Sequence, residues 1–463
     1  MHWWHIVRQL RPACSRTRTF LWLAACIAGM TVRGDLLGVT SMVRSLGLKE
    51  VCYDRILDFF HSKALDLEKL TRTWVSLVLK IHPSILRSNG RIILVGDGLK
   101  VPKSGKKMPG VKLLHQNSES NTKPPYIMGH SCQAVAILAG ALKSVFAIPL
   151  AGRIHEGVLF SNQDKRTLLD KMILLINSLG ILVPFYFVAD AYYASRVIIL
   201  GLIHKGNHLI TRVRSNAVAY YPAQPSSKHK GRGRPRKYGE KIKLRSLFDH
   251  SHARQSAQSP IYGEKNIILQ FVSLDLLWRP VGILVRFVAV LHPSRGMILL
   301  MSTDLSLPPL EIIRIYGLRF KIELSFKQAL RIIGTYTYHF WMAAMTPLPR
   351  HSGNQYLHRK SNKYRNAVRR KIDAYHRHIQ IGLITQGLLQ YLSSVFPKLV
   401  WSSFGSWIRT IRPGICPSEQ VTAIAMRNTL PEFFAHSPKN TSLTKFLWDR
   451  IDLARSEGMR LTA

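Results

Sequence analysis

Two short apolar runs, each ending in an aspartate, decide the fold: Arg91-Ile-Ile-Leu-Val-Gly-Asp97 and Phe185-Tyr-Phe-Val-Ala-Asp190. Their length and their β-branched and aromatic content are typical of buried strands. In α/β sheets, functional side chains gather at the carboxyl ends of neighbouring strands. We therefore expect Asp97 and Asp190 to lie close together at one edge of a sheet. The alternative is that each aspartate only caps the turn after its strand, where Asp is common.

A third acid, Glu323, lies in a stretch of helical periodicity that begins at Pro309 and continues past Ile333. At about 100° per residue, one face of that helix carries Tyr316, Arg319, Glu323 and Lys327. A charged stripe of this kind is usually a solvated face, with the apolar side of the helix packed on the core. The stripe points to a functional site only in combination with the two aspartates.

Together, Asp97, Asp190 and Glu323 predict a carboxylate site for divalent metal. Cleavage of a phosphodiester at neutral pH needs an activated water or 3′ hydroxyl, and it needs charge stabilisation on the attacking and leaving oxygens. Two magnesium ions about 3.5 to 4 Å apart supply both. Mg²⁺ prefers hard oxygen ligands and keeps several waters, so carboxylates from different segments suffice. The sequence thus predicts Mg²⁺, or Mn²⁺ in its place, bound by these three acids.

The charge balance indicates a polyanionic partner. The chain of 463 residues has 66 Lys and Arg against 25 Asp and Glu, a formal charge of +41. Self-repulsion makes such a charge costly unless a polyanion neutralises it, and the cations are spread among apolar segments instead of forming one tail. We therefore expect double-stranded DNA as the partner. With 46% hydrophobic residues, the chain can bury large cores over two to four domains.

Cysteine spacing and hydropathy exclude other classes of site. The five cysteines are far apart, with no C-x-x-C pair or histidine at ligand spacing, so neither a zinc site nor a disulfide framework is expected and the compartment is reducing. The apolar run from Phe20 to Val32 imitates a signal-peptide core but is shorter than the roughly 20 residues of a spanning helix. We interpret it as a buried helix, with a targeting segment as the alternative, and expect no membrane partner.

The predicted secondary structure divides the chain into an interrupted α/β core and helical regions at both ends. Residues 91–213 contain three adjacent strands followed by a helix, a strand, a helix and another strand, which predicts a mixed sheet. The predicted regions are an N-terminal helical DNA-binding region (1–90), the first part of the core (91–213), a β-rich insertion (214–305), the second part of the core (306–345) and a basic helical C-terminal region (346–463).

At the three acids, the chain resembles the DDE transposases of bacterial insertion sequences, in the group with a Tyr-x2-Arg-x3-Glu-x6-Lys signature. Tyr316, Arg319 and Glu323 match that signature, but its lysine position holds Leu330. Lys327 and Arg331 are the alternative cations for that role. The segment from Asp97 to Gln116 is also similar to the segment around the first Asp in part of this family. The resemblance covers about residues 90–345.

The resemblance implies a fold and a reaction. The fold is a ribonuclease-H-like catalytic domain whose sheet is interrupted by an all-β insertion, in agreement with the strands read from residues 214–305. Asp97, Asp190 and Glu323 would bind the metal, and Tyr316 and Arg319 would contact the DNA backbone near the cut end. The reaction would be hydrolysis at transposon ends, followed by attack of a 3′ hydroxyl on target DNA. The protein would act as a homodimer or higher oligomer on paired ends, on the nucleoid in the bacterial cytoplasm.

Two further basic segments are candidates for DNA contact. The segment Gly231-Arg-Gly-Arg-Pro-Arg-Lys resembles an AT-hook, whose extended Arg-Pro core fits the narrow minor groove of A·T-rich DNA. Its predicted contacts are Arg232, Arg234, Pro235, Arg236 and Lys237. The alternative is a flexible cationic loop that touches phosphates without reading sequence. Lys103 is predicted to line the approach to Asp97, together with Lys106, Lys107 and Lys112.

The prediction is therefore a magnesium-dependent DNA transposase. A metal-dependent nuclease without strand transfer is the first alternative, and joining of free 3′ ends to target DNA would distinguish the two. A domesticated DNA-binding protein without activity is the second alternative, and the intact acids at positions 97, 190 and 323 argue against it.

Overall fold

The computed structural model describes residues 2–116, 124–224, 236–249, 251–436 and 442–454. The helices before the first long strand are α1 (His2–Val7), α2 (Thr17–Val32), α3 (Val39–Ser45), α4 (Cys52–His61) and α5 (Leu67–Ile81). Helix α2 is buried from Thr19 to Val32 because it is apolar on all sides, as the sequence predicted for this run. Within the described ranges, no helix is long and apolar enough to cross a membrane.

The N-terminal helices share their core with the sheet that follows. Trp74 of α5 is fully buried, and its indole nitrogen donates a hydrogen bond of 2.9 Å to the backbone oxygen of Pro149. Residues of α2 and α5 belong to the same apolar cluster as Ile92 and Ile148 of the sheet. This region is therefore not an independent unit, and its predicted DNA-binding role remains a prediction.

The catalytic region predicted from the sequence folds as a mixed sheet with a central strand. Its elements are β1 (Arg87–Ser88), β2 (Arg91–Pro102), β3 (Lys112–His115), β4 (Tyr126–Ala141), β5 (Ser144–Ile154), β6 (Val158–Leu159), α6 (Leu168–Ser178), β7 (Phe185–Ala189), α7 (Arg196–Ile203) and β8 (His208–Arg212). Strand β2 is antiparallel to β4 on one side and parallel to β7 on the other. Strand β5 pairs antiparallel with β4, and β8 pairs parallel with β7. The order across this part is β5-β4-β2-β7-β8.

The strands of the predicted insertion continue the same sheet. They are β9 (Val218–Pro222), β10 (Tyr238–Lys243), β11 (Gln255–Gln258), β12 (Ile268–Trp278), β13 (Ile283–His292) and β14 (Gly296–Ser302). Strand β14 pairs antiparallel with β8, and the order runs on as β13, β12, β9 and β10, with β11 paired to β12. The insertion is thus β-rich, as predicted, but it is not a separate layer. Its pairing satisfies backbone groups that an unpaired β8 would expose at a sheet edge.

The C-terminal part returns to the sheet and covers one face of it. Its elements are α8 (Pro309–Gly317), α9 (Lys321–Gln328), β15 (Gln355–Tyr356), α10 (Asn362–Val395), α11 (Pro397–Ser402), α12 (Glu419–His436) and α13 (Ser442–Trp448). From Ala374 to Leu392, α10 is almost entirely buried. Two of its glutamines donate to carbonyls of β5, Gln380 to Leu150 at 2.9 Å and Gln390 to Ala147 at 3.1 Å. Buried amide groups need such partners, so these bonds fix α10 on the sheet.

The stretch that carries Glu323 is broken, whereas the sequence predicted one helix. Helix α8 ends at Gly317, and the amide nitrogens of Leu318 and Arg319 bond to carbonyls only three residues back, at 3.0 Å each. Glycine lowers helix propensity at this point, and tighter i to i−3 bonds end the α-helical ladder. Tyr316 and Glu323 therefore lie on different helices, and the predicted continuous stripe from Tyr316 to Lys327 is wrong.

Close packing of β2 on β7 depends on a glycine beside the first aspartate. A Cβ on Gly96 would lie 2.4 Å from ring atoms of Phe187 on β7, and Phe187 is fully buried. We expect Gly96→Ala to destabilise the protein by about 1 to 3 kcal/mol, because the ring cannot move without disturbing the core. Thermal and urea unfolding measure the effect. Gly98→Ala is the matched control: its nearest atom would be 3.8 Å away, and an equal loss in both variants would contradict this explanation.

Candidate active site

The register of two parallel strands places Asp97 beside Asp190. Ile92 pairs with Phe185 and Val95 with Val188. Two residues after Val95 and Val188, on the same face of the sheet, are the two aspartates. Strand β2 continues past Asp97 to Pro102, whereas β7 ends one residue before Asp190. The carboxylate of Asp190 accepts a hydrogen bond of 3.0 Å from the amide of Tyr192. Both acids line one cleft of about 630 Å³, which we call the acid cleft.

Arg319 links the aspartate on the central strand to the third acid. One guanidinium nitrogen lies 2.9 Å from Oδ2 of Asp97, and the other lies 2.5 Å from Oε1 of Glu323. The turn between α8 and α9 carries Arg319, and Glu323 follows one helical turn later in α9. The Asp97 side chain is 19% exposed and that of Glu323 is 54% exposed. The bridge therefore runs from the floor of the cleft to its rim.

The buried acids hold their protons more tightly than acids in water. Burial raises the pKa of Asp97 from 3.8 to about 6; Arg319 opposes this rise, and the charges of Asp190 and Glu323 add to it. Burial also raises the pKa of Asp190, while the amide of Tyr192 and the charge of Arg319 lower it. Asp97 is costly to ionise even though Arg319 is bound to it, so its surroundings carry too little positive charge to compensate the carboxylate. The cleft floor thus favours a cation.

The donor set fits a hard divalent cation by its chemistry. Asp97, Asp190 and Glu323 offer carboxylate oxygens, the ligands that Mg²⁺ prefers. In the described part of the chain, no three His, Cys, Asp or Glu side chains stand close enough to hold an ion jointly. At this site the guanidinium of Arg319 lies between Asp97 and Glu323 and keeps the two carboxylates apart. Asp97 and Asp190 both line the cleft, whereas Glu323 is held by Arg319.

The cleft walls carry polar groups that the sequence analysis missed. Besides the acids, the wall includes Lys100, Gln133, Glu156 and Tyr193. The Gln133 amide nitrogen donates a hydrogen bond of 3.0 Å to the Tyr193 hydroxyl, and the Gln133 amide oxygen lies 2.5 Å from Nδ1 of His155. The proton of that hydroxyl is then left for an acceptor in the cleft. A lone glutamine inside the apolar run of β4 was the available signal, because a polar residue there needs a buried partner.

The position of the signature lysine also faces the cleft. Leu330 lines the cleft with Asp97 and Asp190, in a π-helical turn from Ala329 to Ile333 that follows α9. Lys327 is exposed on the preceding turn and is absent from the residues that line the cleft. An apolar side chain therefore stands where the resemblance places a cation. Lys100 also lines this cleft, and its ammonium donates to the backbone oxygen of His115.

Lys103 does not have the position that its predicted DNA contact requires. The residue is 6% exposed, and its ammonium donates to the backbone oxygens of Tyr336 and Tyr338. The same group lies 3.8 Å from the ring centre of Tyr338. Burial lowers the pKa of Lys103 to about 7. An ammonium enclosed in this way cannot reach a phosphate, so Lys103 joins the end of β2 to the chain after Glu323.

The remaining predicted contacts lie at two separate places. Tyr316 lines a second cleft of about 460 Å³ with Arg212, Arg295 and Arg319, next to the acids. Arg236 and Lys237 are exposed beside β10, at the far end of the sheet from β2. Arg232, Arg234 and Pro235 of the AT-hook-like segment lie outside the described residues. The structure thus brings Tyr316 and Arg319 to the acids and places Arg236 and Lys237 remote from them.

Comparison with known proteins gives the family. Residues 9–261, more than half of the chain, match the family model described as DDE superfamily endonuclease. The chain belongs to this family. The matched region contains Asp97 and Asp190 and ends before Glu323.

Two further comparisons are with solved structures and with curated proteins. Among solved structures, the piggyBac transposase in a synaptic complex with hairpin DNA is similar at a TM-score of 0.36 and 12% identity. The alignment covers 96% of this chain and 81% of that one. This TM-score marks a loose likeness. A search of curated proteins finds no match.

Burial of the Asp97 charge predicts a pH-dependent gain in stability on its removal. The pKa of Asp97 is about 6 in the folded protein, against 3.8 for an ordinary Asp. The acid form therefore favours folding below pH 3.8, and that contribution is lost as the pH rises through 6. In metal-free buffer, we expect Asp97→Asn to be more stable than the wild type at pH 7.5, by on the order of 1 to 3 kcal/mol. The difference should vanish near pH 4.

Denaturant unfolding of both proteins between pH 4 and 8 measures this difference. Because Arg319 lowers the pKa of Asp97, the same comparison in an Arg319→Gln background should give a larger difference at pH 7.5. A stability difference independent of pH would show that Asp97 ionises normally in the folded protein.

Proposed function

We propose that this DDE superfamily endonuclease is a DNA transposase. It would use Asp97, Asp190 and Glu323 with Mg²⁺, or Mn²⁺, to cut DNA at the ends of a mobile element and to join the 3′ ends to target DNA. The observation that carries the proposal is that two acids lie side by side and a third, from a distant part of the chain, is linked to one of them through one arginine. Asp97 and Asp190 lie in register on β2 and β7, and Arg319 connects Asp97 to Glu323.

The strand order supports a ribonuclease-H-like core. Numbered along the chain within the core, β2, β4, β5, β7 and β8 are the first to fifth strands, and the sheet order is third, second, first, fourth, fifth. The first three strands are antiparallel and the last two run parallel to the first. Asp97 lies on the first of these strands, Asp190 follows the fourth, and Glu323 lies on a helix after the insertion.

The residues of the cleft would divide the work of DNA cleavage among them. Asp97 and Asp190 would hold metal ions, which activate the attacking oxygen and stabilise charge on the leaving oxygen. Arg319, once its acids face metal, has a free guanidinium that suits a phosphate in bidentate geometry. Lys100 adds positive charge to the wall, and the Tyr193 hydroxyl offers a proton to an oxygen in the cleft. Positive charge over the whole chain would attract the DNA backbone.

Cleavage and joining on the element's own DNA test the proposal. We expect the wild type, with Mg²⁺, to cut linear fragments that carry the DNA flanking its gene on both sides. With fragments that already end in a 3′ hydroxyl at those positions, we expect joined products in a supercoiled plasmid. Asp97→Asn and Asp190→Asn should reduce both products to background, because each removes a negative oxygen ligand.

Controls separate catalysis from binding. Asp249→Asn removes an exposed acid of the insertion and should leave both reactions unchanged, and the two site variants should bind the fragments as tightly as the wild type. Cutting without joining would favour a nuclease instead of a transposase. Full Mg²⁺-dependent cutting by Asp97→Asn would remove Asp97 from the reaction and overturn the proposed site.

A further inference from the structure

The chain after the third acid contains no acidic residue until the fourth turn of α10. From Leu324 to Ile372 there is no Asp or Glu, and the next acid is Asp373. The cations gather at the end of this stretch, at Arg359, Lys360, Lys363, Arg365, Arg369, Arg370 and Lys371. Seven cations in thirteen residues form a concentrated basic segment, which continues from a short loop into the first turns of α10.

This arrangement opposes the stability of the helix that carries it. Lys363 lies in the first turn of α10, where a cation faces the positive end of the helix macrodipole at a cost of roughly 0.3 to 1 kcal/mol. Arg365 and Arg369 are four residues apart, where like charges repel by a few tenths of a kcal/mol. The first turn of α10 contains no acidic residue to compensate. The buried half of α10 provides the stability that this charged half lacks.

The basic half of α10 is nevertheless held firmly against the body of the protein. Val368 is buried in an apolar cluster with Met342, Met345 and Leu357. Arg365 donates a hydrogen bond of 3.3 Å to the backbone oxygen of Phe160, and the guanidinium of Arg369 lies 4.5 Å from the ring centre of the same residue. These contacts orient the helix.

The cations on the opposite side of the helix are free for a partner. Lys363 and Arg370 are exposed and lie seven residues apart, which places them on one outer face. Lys360, in the loop before the helix, is exposed beside them. We call Lys360, Lys363 and Arg370 the α10 basic face.

The helix that carries the α10 basic face is connected to the acid cleft through a neighbouring cleft. Glu156 lines the acid cleft and also a neighbouring cleft of about 350 Å³, whose wall includes Lys171 and Phe160. Phe160 is the residue on which Arg365 and Arg369 rest. A nucleic-acid strand that leaves the acid cleft over Glu156 therefore reaches α10 on the side of Arg365 and Arg369, and the α10 basic face lies on the outer side of the same helix.

We propose that the α10 basic face binds the backbone of double-stranded DNA whose end enters the acid cleft. The inference rests on the proposed function and adds a second anchoring surface to it. The eight residues from Lys363 to Arg370 span about 12 Å of helix, enough for on the order of three successive phosphates at 3.4 Å of axial rise. Phosphates are the partner that repays the repulsion among these cations.

Salt-dependent DNA binding tests the proposal with charge-matched variants. The test variant is Lys363→Gln with Arg370→Gln. The control is Lys205→Gln with Lys265→Gln, two exposed lysines outside both clefts. Binding of a fluorescent 30-base-pair duplex is measured by anisotropy without divalent metal, from about 50 to 200 mM salt. We expect the test pair to lower the slope of log K against log salt by about 2, at about 0.9 per phosphate contact, and the control to leave it unchanged.

Folding and catalysis provide independent readouts. Removing the two cations should keep or slightly raise the thermal stability, because Lys363 in the first turn opposes the helix dipole and Arg370 is exposed. A loss of binding with intact unfolding behaviour then reports on DNA contact. An equal change in slope for both pairs, or none for the test pair, overturns the proposal. Because no cleavage is involved, an inactive wild type whose test pair still loses slope would refute the transposase proposal alone.

Discussion

The ion-pair bridge of Arg319 is the interaction on which the geometry of the acid cleft depends. Asp97 lies on the central strand, whereas Glu323 comes from a helix more than 200 residues later, and a single guanidinium binds both. Without a cation between them, the buried Asp97 would carry an uncompensated charge. The bridge therefore joins the two parts of the core across the insertion. It also occupies the space between these two acids, so a metal ion bound by both would have to replace it.

Behind this bridge, buried polar side chains set the distance between sheet and helices. Lys103 ties the end of β2 to Tyr336 and Tyr338, which follow the Glu323 helix. On α10, Gln386 donates to the backbone and hydroxyl oxygens of Ser325, at 3.1 Å each. Such bonds are directional, and leaving them unmade costs more than making them gains. They therefore restrict how far α9 can shift relative to β2.

The sequence predicted the parts of this site that follow from local periodicity. Apolar runs ending in Asp97 and Asp190 predicted two buried strands, and both strands formed side by side. It could not predict the bridge, because the partners of Arg319 depend on contacts distant in the chain. It also missed the break after Gly317, since hydrophobic periodicity continues across it while the backbone bonds do not. The predicted DNA contact of Lys103 is wrong because its burial results from tertiary packing, which the local sequence does not show.

Both the acid cleft and the outer surface carry charge that the folded protein does not compensate. The acids of the cleft floor are costly to ionise, and Arg319 alone does not restore the usual pKa of Asp97. The outer surface has the opposite imbalance, with cations in excess even where helix α10 is destabilised by them. A ligand with divalent cations at its reacting phosphate and negative charge along its backbone relieves both imbalances at once. Folding alone relieves neither, which is why the charge pattern of this chain is better explained by binding than by stability.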